Sequence, residues 1–499
     1  MSSKAVTMVL ALLLAGNAVA QVDRDAYNRQ REQLRQQYAR QRNSTRQQYN
    51  EARRKAEEEY AAFRKKANEE YAAAMQQAWT KMAVQPAEPK PVEPKPPKPF
   101  KPAPDKMPSS VALPQGEVVL PPASIAPTPL PAIPEAETMA PTMSFQLYGT
   151  PCEVHTDNEE LRFKLPRVDE MSVSAAWKQL SQEKYDGLLH DCIEQRDALH
   201  LSDWGYLRLL GKASEQLLGK GTDEAVLLQM YLLTQSGYCV RIAHTNDHLV
   251  LLVPFNRNVY NYSFIRFDGT KYYAISSTKL KGSLLVFNVG FPREQVANIL
   301  MYQIPTLKGG AKLSRTLQGE KFGNMKATVE VDQSLIDYLN DYPLSDAWDY
   351  YVLTGLSDNV KATLYPALRS QLEGKSKKKG AIMLLDFVQT AFEYATDGDQ
   401  FGYERPLFGD ESLYYPKNDC EDRAIFYSIL VRDLLGLDVV LIDWPGHVAT
   451  AVAFPEEVEG DYFTVDGRRY IVCDPTYVGA TIGETMSDFE GVSAKIVKL

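Results

Sequence analysis

The sequence has little cysteine and no long apolar run beyond its first residues. Five cysteines in 499 residues are too few for a disulfide scaffold, and an odd number leaves at least one thiol unpaired within the chain. No segment after residue 20 has 18 uninterrupted apolar residues, which excludes a protein with several membrane spans. An excess of positive charge is also missing, since the net charge is −9. This balance argues against a general nucleic-acid binder.

The first 20 residues have the pattern of a secretory signal. Lys4 supplies a positive start, Val6–Ala15 is apolar, and Ala18-Val19-Ala20 gives a small-x-small cleavage site. We therefore expect a secreted or periplasmic protein of the cell envelope. An uncleaved N-terminal anchor is the alternative.

Proline and glycine are absent between residues 22 and 82, where good helix formers dominate. A tyrosine recurs every 11 residues, at Tyr27, Tyr38, Tyr49, Tyr60 and Tyr71. Eleven residues are close to three helical turns, so the tyrosines form a nearly straight stripe. We predict a long helix over residues 21–82 that self-associates or lies along a partner; a lone solvated helix is the alternative. With 14 Lys or Arg against 9 Asp or Glu, it also suits contact with an anionic envelope surface.

A proline-rich segment follows the predicted helix. Eighteen of the 30 prolines lie between Pro86 and Pro141, and such chains favour extended polyproline II with no core to bury. We predict a disordered spacer over residues 83–142. At ~3.1 Å per residue its reach is on the order of 180 Å.

The sharpest pattern is the N-D-C-E-D run at residues 418–422. It opens a stretch with helical spacing of apolar residues, which Gly436 ends. Asp419 and Asp422 have the spacing of a capping box, so Cys420 is predicted in the first turn. The helix dipole and free N–H groups there favour a thiolate, so we expect a lowered pKa and a nucleophilic sulfur.

Two later residues complete a set of three groups. His447 is the only histidine after His248, and it begins a strand-like run. A hairpin signal then delivers Asp474, so that 27 residues separate Cys420 from His447 and His447 from Asp474. A thiol hydrolase needs a nucleophilic sulfur, an imidazole that moves the proton and a carboxylate that orients the imidazole.

These segments also carry a family resemblance. N-D-C-E-D-R-A, P-G-H-V and C-D-P-T, within about residues 380–485, resemble the catalytic segments of the transglutaminase-like superfamily, which shares a papain-like cysteine-hydrolase core. The resemblance implies Cys420 as nucleophile, His447 as general base and Asp474 as its orienting carboxylate. The family's oxyanion hole would use the Cys420 N–H and one side-chain donor, for which Gln389 is the candidate.

Several acidic residues are candidates for a supporting role or a metal site. Asp422 is expected to support the start of the helix. Asp397-Gly398-Asp399, with Gly402 and Glu404, has a slight similarity to a calcium loop, but a plain turn is the favoured interpretation. We therefore predict no metal site and no cofactor.

Residues 145–300 look like a second copy of the same pattern. Gly221 and His248 precede Cys420 and His447 by 199 residues each. Gly221 replaces the nucleophile in this copy, Ser276 replaces Asp474, and Ser214 stands near the place of Gln389. We expect a degenerate module without this chemistry. The alternative is a chance alignment of ordinary α+β features.

The predicted fold is α+β, with two tandem transglutaminase-like or papain-like domains after the helix and spacer. The expected domains are the signal 1–20, the helix 21–82, the spacer 83–142, a degenerate domain 143–310 and a catalytic domain 311–499.

The expected function is an exported thiol-dependent amide hydrolase, a peptidase or isopeptidase, that acts on a protein or peptide through a thioester at Cys420. A cross-linking transamidase, a peptidoglycan amidase and a non-catalytic envelope scaffold are the alternatives. No nucleic-acid partner is expected.

Overall fold

The computed structural model describes residues 3–77, 79–91, 110–121, 142–156, 162–182, 185–245, 247–276, 280–322, 325–345 and 347–499, together with Leu130. The chain divides into two compact units, residues 1–68 and residues 69–499. None of the described helices is both long enough and apolar enough to cross a membrane. All five cysteines are free, buried thiols.

Helix α1 covers Ser3–Met75 and supplies the first unit. Its exposed surface carries ion pairs one turn apart, such as Arg54 with Glu58 at 3.7 Å. Tyr49 is 66% exposed, whereas the side chains of Tyr27 and Tyr38 lie outside the described residues. The predicted helix end at residue 82 is wrong, because the chain leaves the helix after Met75 and forms a strand instead.

The second unit begins with elements that lie before residue 290. They are β1 Thr80–Ala83, β2 Gln115–Val119, β3 Thr142–Leu147, β4 Thr150–His155, α2 Glu170–Leu180, α3 Asp186–Ala198, α4 Asp203–Leu218, α5 Asp223–Gln235, β5 Arg241–His244, β6 Leu249–Val253, β7 Phe264–Phe267, β8 Thr270–Ile275 and β9 Ser283–Phe287.

The remaining elements are β10 Lys312–Gln318, β11 Lys326–Asp332, α6 Gln333–Asp341, α7 Trp348–Thr354, α8 Asp358–Leu372, α9 Lys377–Thr390, α10 Asp397–Gln400, α11 Gly409–Tyr414, α12 Cys420–Leu430, β12 Asp438–Trp444, β13 His447–Ala453, β14 Tyr462–Val465, β15 Arg468–Cys473 and β16 Ala494–Lys498. A π-helical turn, Val431–Leu435, follows α12 directly.

Two six-stranded sheets share one strand order. The first sheet runs β7-β8-β6-β5-β9-β1 and the second runs β14-β15-β13-β12-β16-β2. The five strands that each half supplies in sequence therefore occupy the same places in both sheets. Only the sixth strand differs, because β1 pairs antiparallel with β9 and β2 pairs parallel with β16. The molecule is a mixed α and β protein, which confirms the prediction of a fold with both helices and strands.

Strand β13 is the buried centre of the second sheet. All seven of its residues are buried, since α12 packs against β13 and an apolar cluster that includes Ala449, Ala451 and Phe463 forms the core. A strand covered on both faces needs an unbroken apolar run, which residues 448–453 supply apart from one threonine. The buried sheet fixes the position of His447 at the start of this internal strand.

The prediction of a spacer that is disordered throughout residues 83–142 is wrong in two segments. Residues 83–91 run along the first sheet, where Gln85 exchanges backbone hydrogen bonds of 2.7 and 3.1 Å with Phe264. Residues 110–121 contain β2, and Leu113 is buried in the second core. Residues 118–120 are a short apolar run, Val-Val-Leu, that the average proline content conceals. Residues 92–109, 122–129 and 131–141 lie outside the described residues.

The two halves of the second unit are joined by buried contacts. The Tyr342 hydroxyl donates to the Ile299 carbonyl at 2.7 Å, and it forms a second hydrogen bond with the Ser202 hydroxyl at 2.8 Å. Residues 69–499 form one compact unit that contains both halves.

Candidate active site

Helix α12 begins as the sequence predicts. Asp419 is the extended residue before the helix, and its N–H donates to Asp422 Oδ2 at 3.3 Å. Asp422 Oδ1 accepts the Leu407 N–H at 2.8 Å, which fixes the preceding loop. The two reciprocal contacts of a capping box between Asp419 and Asp422 are present, while Asp419 Oδ1 has no hydrogen-bond partner in the described part of the chain. Cys420 is the first residue of the helix, and Asp422 supports that position.

His447 and Asp474 form a buried pair. His447 begins β13 and Asp474 follows β15, and neighbouring strands bring His447 Nε2 within 2.8 Å of Asp474 Oδ2. Asp474 Oδ1 accepts the N–H groups of Thr476 at 2.9 Å and Tyr477 at 3.1 Å. The carboxylate is thus held by its own loop, and a proton on Nε2 leaves Nδ1 as the basic nitrogen.

Aromatic rings fix the plane of the imidazole. Phe489 stacks on His447 with ring centroids 5.1 Å apart and planes 12° apart. Trp444 stacks on Phe489 at 5.0 Å, and its Nε1–H donates to the Val492 carbonyl at 3.2 Å. No spacing in the sequence links Phe489 to β13, so its contact with the imidazole was not predicted.

The Cys420 sulfur points to neighbours other than the imidazole. The S–H donates to Glu421 Oε2 at 3.1 Å, and the Val448 N–H donates to the sulfur. Val448 follows His447 directly, so the sulfur lies beside the start of β13. The described contacts of Cys420 include no hydrogen bond to His447. The sulfur lies next to the backbone of the strand that carries His447, and its described hydrogen bonds do not include the imidazole.

The expected lowering of the Cys420 pKa is wrong. Burial raises the pKa of the thiol well above its ordinary value, and the negative charges of Glu421 and Asp419 raise it further. The hydrogen bond from the Val448 N–H acts in the other direction and lowers the pKa. The helix N-terminus is therefore outweighed by loss of solvent and by two adjacent carboxyl groups. Cys420 is a neutral thiol in this state.

Gln389 has a different role from the predicted oxyanion donor. Its Nε2 donates to the carbonyls of Asp474 at 2.9 Å, Tyr477 at 3.0 Å and Ala480 at 3.2 Å. Its Oε1 accepts the Gly479 N–H at 3.3 Å. An amide nitrogen has two hydrogens, and three carbonyls already engage them. Gln389 therefore positions the loop that carries Asp474.

A cluster of buried carboxyl groups surrounds the start of α12. One oxygen each of Asp397, Asp419 and Glu421 lies within 4.8 Å of the others. Burial raises the pKa of Asp397 to about 9 and that of Glu421 to about 8, and neighbouring carboxyl groups add to both effects. Asp419 Oδ1 and Glu421 Oε1 are buried without partners among the described residues. The cluster can hold shared protons, and its oxygens are also the ligands that hard divalent cations prefer.

This cluster was not expected from the sequence. Asp397 belongs to the acidic run that was predicted to be a plain turn, and it forms the short helix α10. Asp397 meets Asp419 and Glu421 only because the fold brings α10 to the start of α12. The spacing of 22 residues between Asp397 and Asp419 carries no signal of its own.

The first half repeats the arrangement without the sulfur. Helix α5 begins at Asp223, so Gly221 precedes it, with a positive φ of 72°. The Leu249 N–H donates to Asp223 Oδ1 at 2.7 Å, in the place where the Val448 N–H meets the sulfur in the second half. His248 lies 3.7 Å from Asp223 and its side chain is 74% exposed. A carboxylate and an exposed imidazole thus replace the thiol site.

No family model matches the chain, and no curated protein or solved structure matches it either. The chemistry of the site therefore has to be argued from its own geometry.

Proposed function

We propose that the protein is a thiol-dependent amide hydrolase of transglutaminase-like type, with Cys420 as nucleophile, His447 as general base and Asp474 as the orienting carboxylate. The proposal rests on one observation above all. His447 and Asp474 form a buried pair, with Nε2 and Oδ2 2.8 Å apart. The residue after His447, Val448, donates its backbone N–H to the Cys420 sulfur. An oriented imidazole beside a thiol at a helix start is the arrangement that thiol catalysis needs.

The proposed reaction transfers one proton out and back. Cys420 turns away from Glu421 and gives its proton to His447 Nδ1, and the sulfur adds to the amide carbonyl carbon of the substrate. The imidazolium returns the proton to the departing amine as the C–N bond breaks, which leaves a thioester on the sulfur. Water then adds to the thioester carbon as it gives a proton to His447. The C–S bond breaks, the imidazolium returns that proton to the departing sulfur, and the acid and the free thiol are released.

Two features of the chain extend the proposal. The second half of the unit is the catalytic copy and the first half the degenerate copy, which the shared strand order supports. Water as acceptor makes the protein an exported peptidase or isopeptidase, and an amine acceptor would make it a transamidase. The export signal at residues 1–20 and the basic helix favour a substrate of the cell envelope.

A second candidate has its own support. Cys420 is 4% exposed and hydrogen-bonded to a carboxyl group, as expected of a thiol that takes no part in chemistry. On this view both halves bind envelope polymers and α1 assembles subunits. The two candidates differ in whether Cys420 pairs with His447 in solution.

Thiol alkylation separates the candidates. The intact protein is treated with iodoacetamide between pH 5 and pH 8, and the modified Cys420 and Cys473 peptides are quantified by mass spectrometry. Cys473, at the end of β15, is also a buried free thiol and serves as the internal reference. A catalytic Cys420 reacts about tenfold faster than Cys473 or more, and His447→Ala slows Cys420 about tenfold without affecting Cys473.

The matched control is His248→Ala, which removes the exposed histidine of the first half and leaves both rates unchanged. If Cys420 reacts no faster than Cys473, or keeps its rate in His447→Ala, the binder is supported and the hydrolase is overturned. Mass spectrometry of the Cys420 peptide after incubation with an envelope extract then identifies the acyl group of the substrate.

A further inference from the structure

Lys90 is a buried lysine whose ammonium group lies in a built environment. Its Nζ is 3.4 Å from Glu404 Oε1, and both side chains are 3% exposed. The same Nζ lies 4.3 Å from the centre of the Trp348 ring. Lysine is almost never buried unless it is paired, and a carboxylate with an aromatic face is a favourable environment for an ammonium ion.

The walls of this pocket are themselves fixed. The Trp348 side chain donates a hydrogen bond to Asp443, which belongs to β12. Glu404 is hydrogen-bonded to Glu421, and Glu421 accepts the Cys420 S–H. The positive charge of Lys90 also favours ionisation of Asp397, Glu421 and Asp443 by lowering their pKa values. The ammonium is thus the cation that offsets a group of acidic side chains.

The segment that delivers Lys90 is held by the first half. The Asn261 N–H donates to the Glu88 carbonyl at 2.7 Å, and Lys271 Nζ lies 2.7 Å from Glu88 Oε2. Pro89 and Pro91 flank Lys90 and favour extended backbone. The segment forms no helix or strand of its own at Lys90, so the pocket engages the side chain of an extended peptide.

The same tripeptide recurs along the chain. Pro-Lys-Pro occurs at residues 89–91, again at residues 94–96 and again at residues 97–99. A pocket that takes one of these units has the chemistry to take the same unit from another peptide, since it contacts the ammonium group.

We propose that Trp348, Glu404 and Asp443 form a binding site for a lysine ammonium group held between prolines, that Lys90 occupies it within the chain, and that a second Pro-Lys-Pro peptide competes for it. The proposed ligand is a Pro-Lys-Pro unit from a second copy of this chain, because the chain carries that unit at residues 94–96 and 97–99 as well. The site is distinct from the His447–Asp474 pair, and the proposal does not depend on catalysis by Cys420.

A labelled peptide tests the site directly. The probe is a fluorescent peptide with the sequence of residues 87–94, and binding is measured by fluorescence anisotropy. The receptor is the full chain with four substitutions: Lys90→Ala, Lys95→Ala, Lys98→Ala and Lys101→Ala. The first empties the site and the others remove competing lysines. We expect this variant to bind the probe about tenfold more tightly than the unchanged chain, or more, because Lys90 no longer competes.

Matched controls define the chemistry. A peptide with norleucine in place of lysine keeps the length and loses the charge, and we expect about tenfold weaker binding or none. Adding Glu404→Gln or Trp348→Leu to the receptor weakens binding similarly, whereas adding Glu457→Gln at an exposed position does not. Absence of probe binding to the folded variant, or equal binding of the norleucine peptide, overturns the proposal.

Acetylation of the unchanged chain gives an independent readout if the variant fails to fold. Lys90 is expected to react with a soluble amine reagent at least about tenfold more slowly than Lys81, which is exposed. An excess of the lysine peptide should raise the rate at Lys90, and the norleucine peptide should not. If Lys90 reacts as fast as Lys81, or the lysine peptide has no effect on it, the site is not a peptide-binding site.

Discussion

At Cys420 two electrostatic effects act in opposite directions. The start of a helix stabilises a negative charge by less than about 2 kcal/mol, whereas burial beside carboxyl groups can raise a thiol pKa by several units. The second effect prevails, and the pKa of Cys420 lies well above its ordinary value. Local sequence correctly predicts the helix start but not the sign of the shift, because the burial depends on the whole fold.

The carboxyl cluster makes stability depend on pH. Glu421 keeps its proton in the folded state up to about pH 8, while its ordinary pKa is 4.5. Between these values unfolding releases the proton, so stability falls as pH rises. We expect the melting temperature to fall from pH 5 to pH 8. Glu421→Gln should reduce the pH dependence of the unfolding free energy by up to about 1.4 kcal/mol per pH unit.

Calorimetry over that pH range provides the measurement, with the exposed Glu457→Gln as control. A Glu421→Gln profile that runs parallel to the unchanged protein would show that Glu421 is ionised in the folded state.

Gln389 offers a second prediction for a single residue. Gln389→Leu keeps the size of the side chain but leaves carbonyls of the Asp474 loop and the Gly479 N–H without partners. We expect a loss of about 2–4 kcal/mol of unfolding free energy, measured by urea denaturation. Gln182→Leu, at an exposed position, should change it by less than about 0.5 kcal/mol. A neutral Gln389→Leu would remove the positioning role.

The His447–Asp474 pairing illustrates what sequence can predict at this scale. Both residues stand at the ends of strands with clear apolar runs and turn signals, so their positions follow from local pattern. By contrast, Glu421 meets Asp397, and Lys90 meets Glu404, through the folding of distant segments. No spacing in the chain predicts that contact.

At the scale of elements, β2 is the least expected feature. It lies in a proline-rich stretch, yet it adds the last strand to the second sheet. Leu113, just before it, is 8% exposed in the core, and Leu120, just after it, is 65% exposed. Leu113→Ala should cost about 2–3 kcal/mol of unfolding free energy, and Leu120→Ala less than about 0.5 kcal/mol.

Chemical denaturation of both variants checks this prediction. Equal, small effects would mean that residues 110–121 do not belong to the folded unit in solution.

The regular elements of the second half follow from the sequence more closely. The apolar spacing after Cys420 and Gly436 correctly predicts α12, and Asp466-Gly467 correctly predicts the turn between β14 and β15. The end of α1 is predicted seven residues too late. Trp79 packs against Phe287 and β1 pairs with β9, so the chain leaves the helix to join the first sheet. Local helix propensity does not reveal those contacts.

On the scale of the whole molecule, the two halves share buried polar contacts. We expect residues 69–499 to unfold in one transition, with circular dichroism and tryptophan fluorescence giving the same midpoint. Tyr342→Phe, which removes the hydroxyl that bonds to Ile299 and Ser202, should lower that midpoint for both probes together. Tyr403→Phe, at a tyrosine that is 48% exposed, is the control. Two separated transitions would show that the halves fold independently.

The contacts on either side of residues 92–109 change what this segment can do. Lys90 is held at Glu404 and Leu113 at Tyr462, so both ends are fastened to one body. A chain closed in this way cannot act as a tether with a reach of ~180 Å, and its closure costs entropy that grows only slowly with length. Proteolytic nicking within residues 92–109 should therefore leave the two products associated until the protein is denatured.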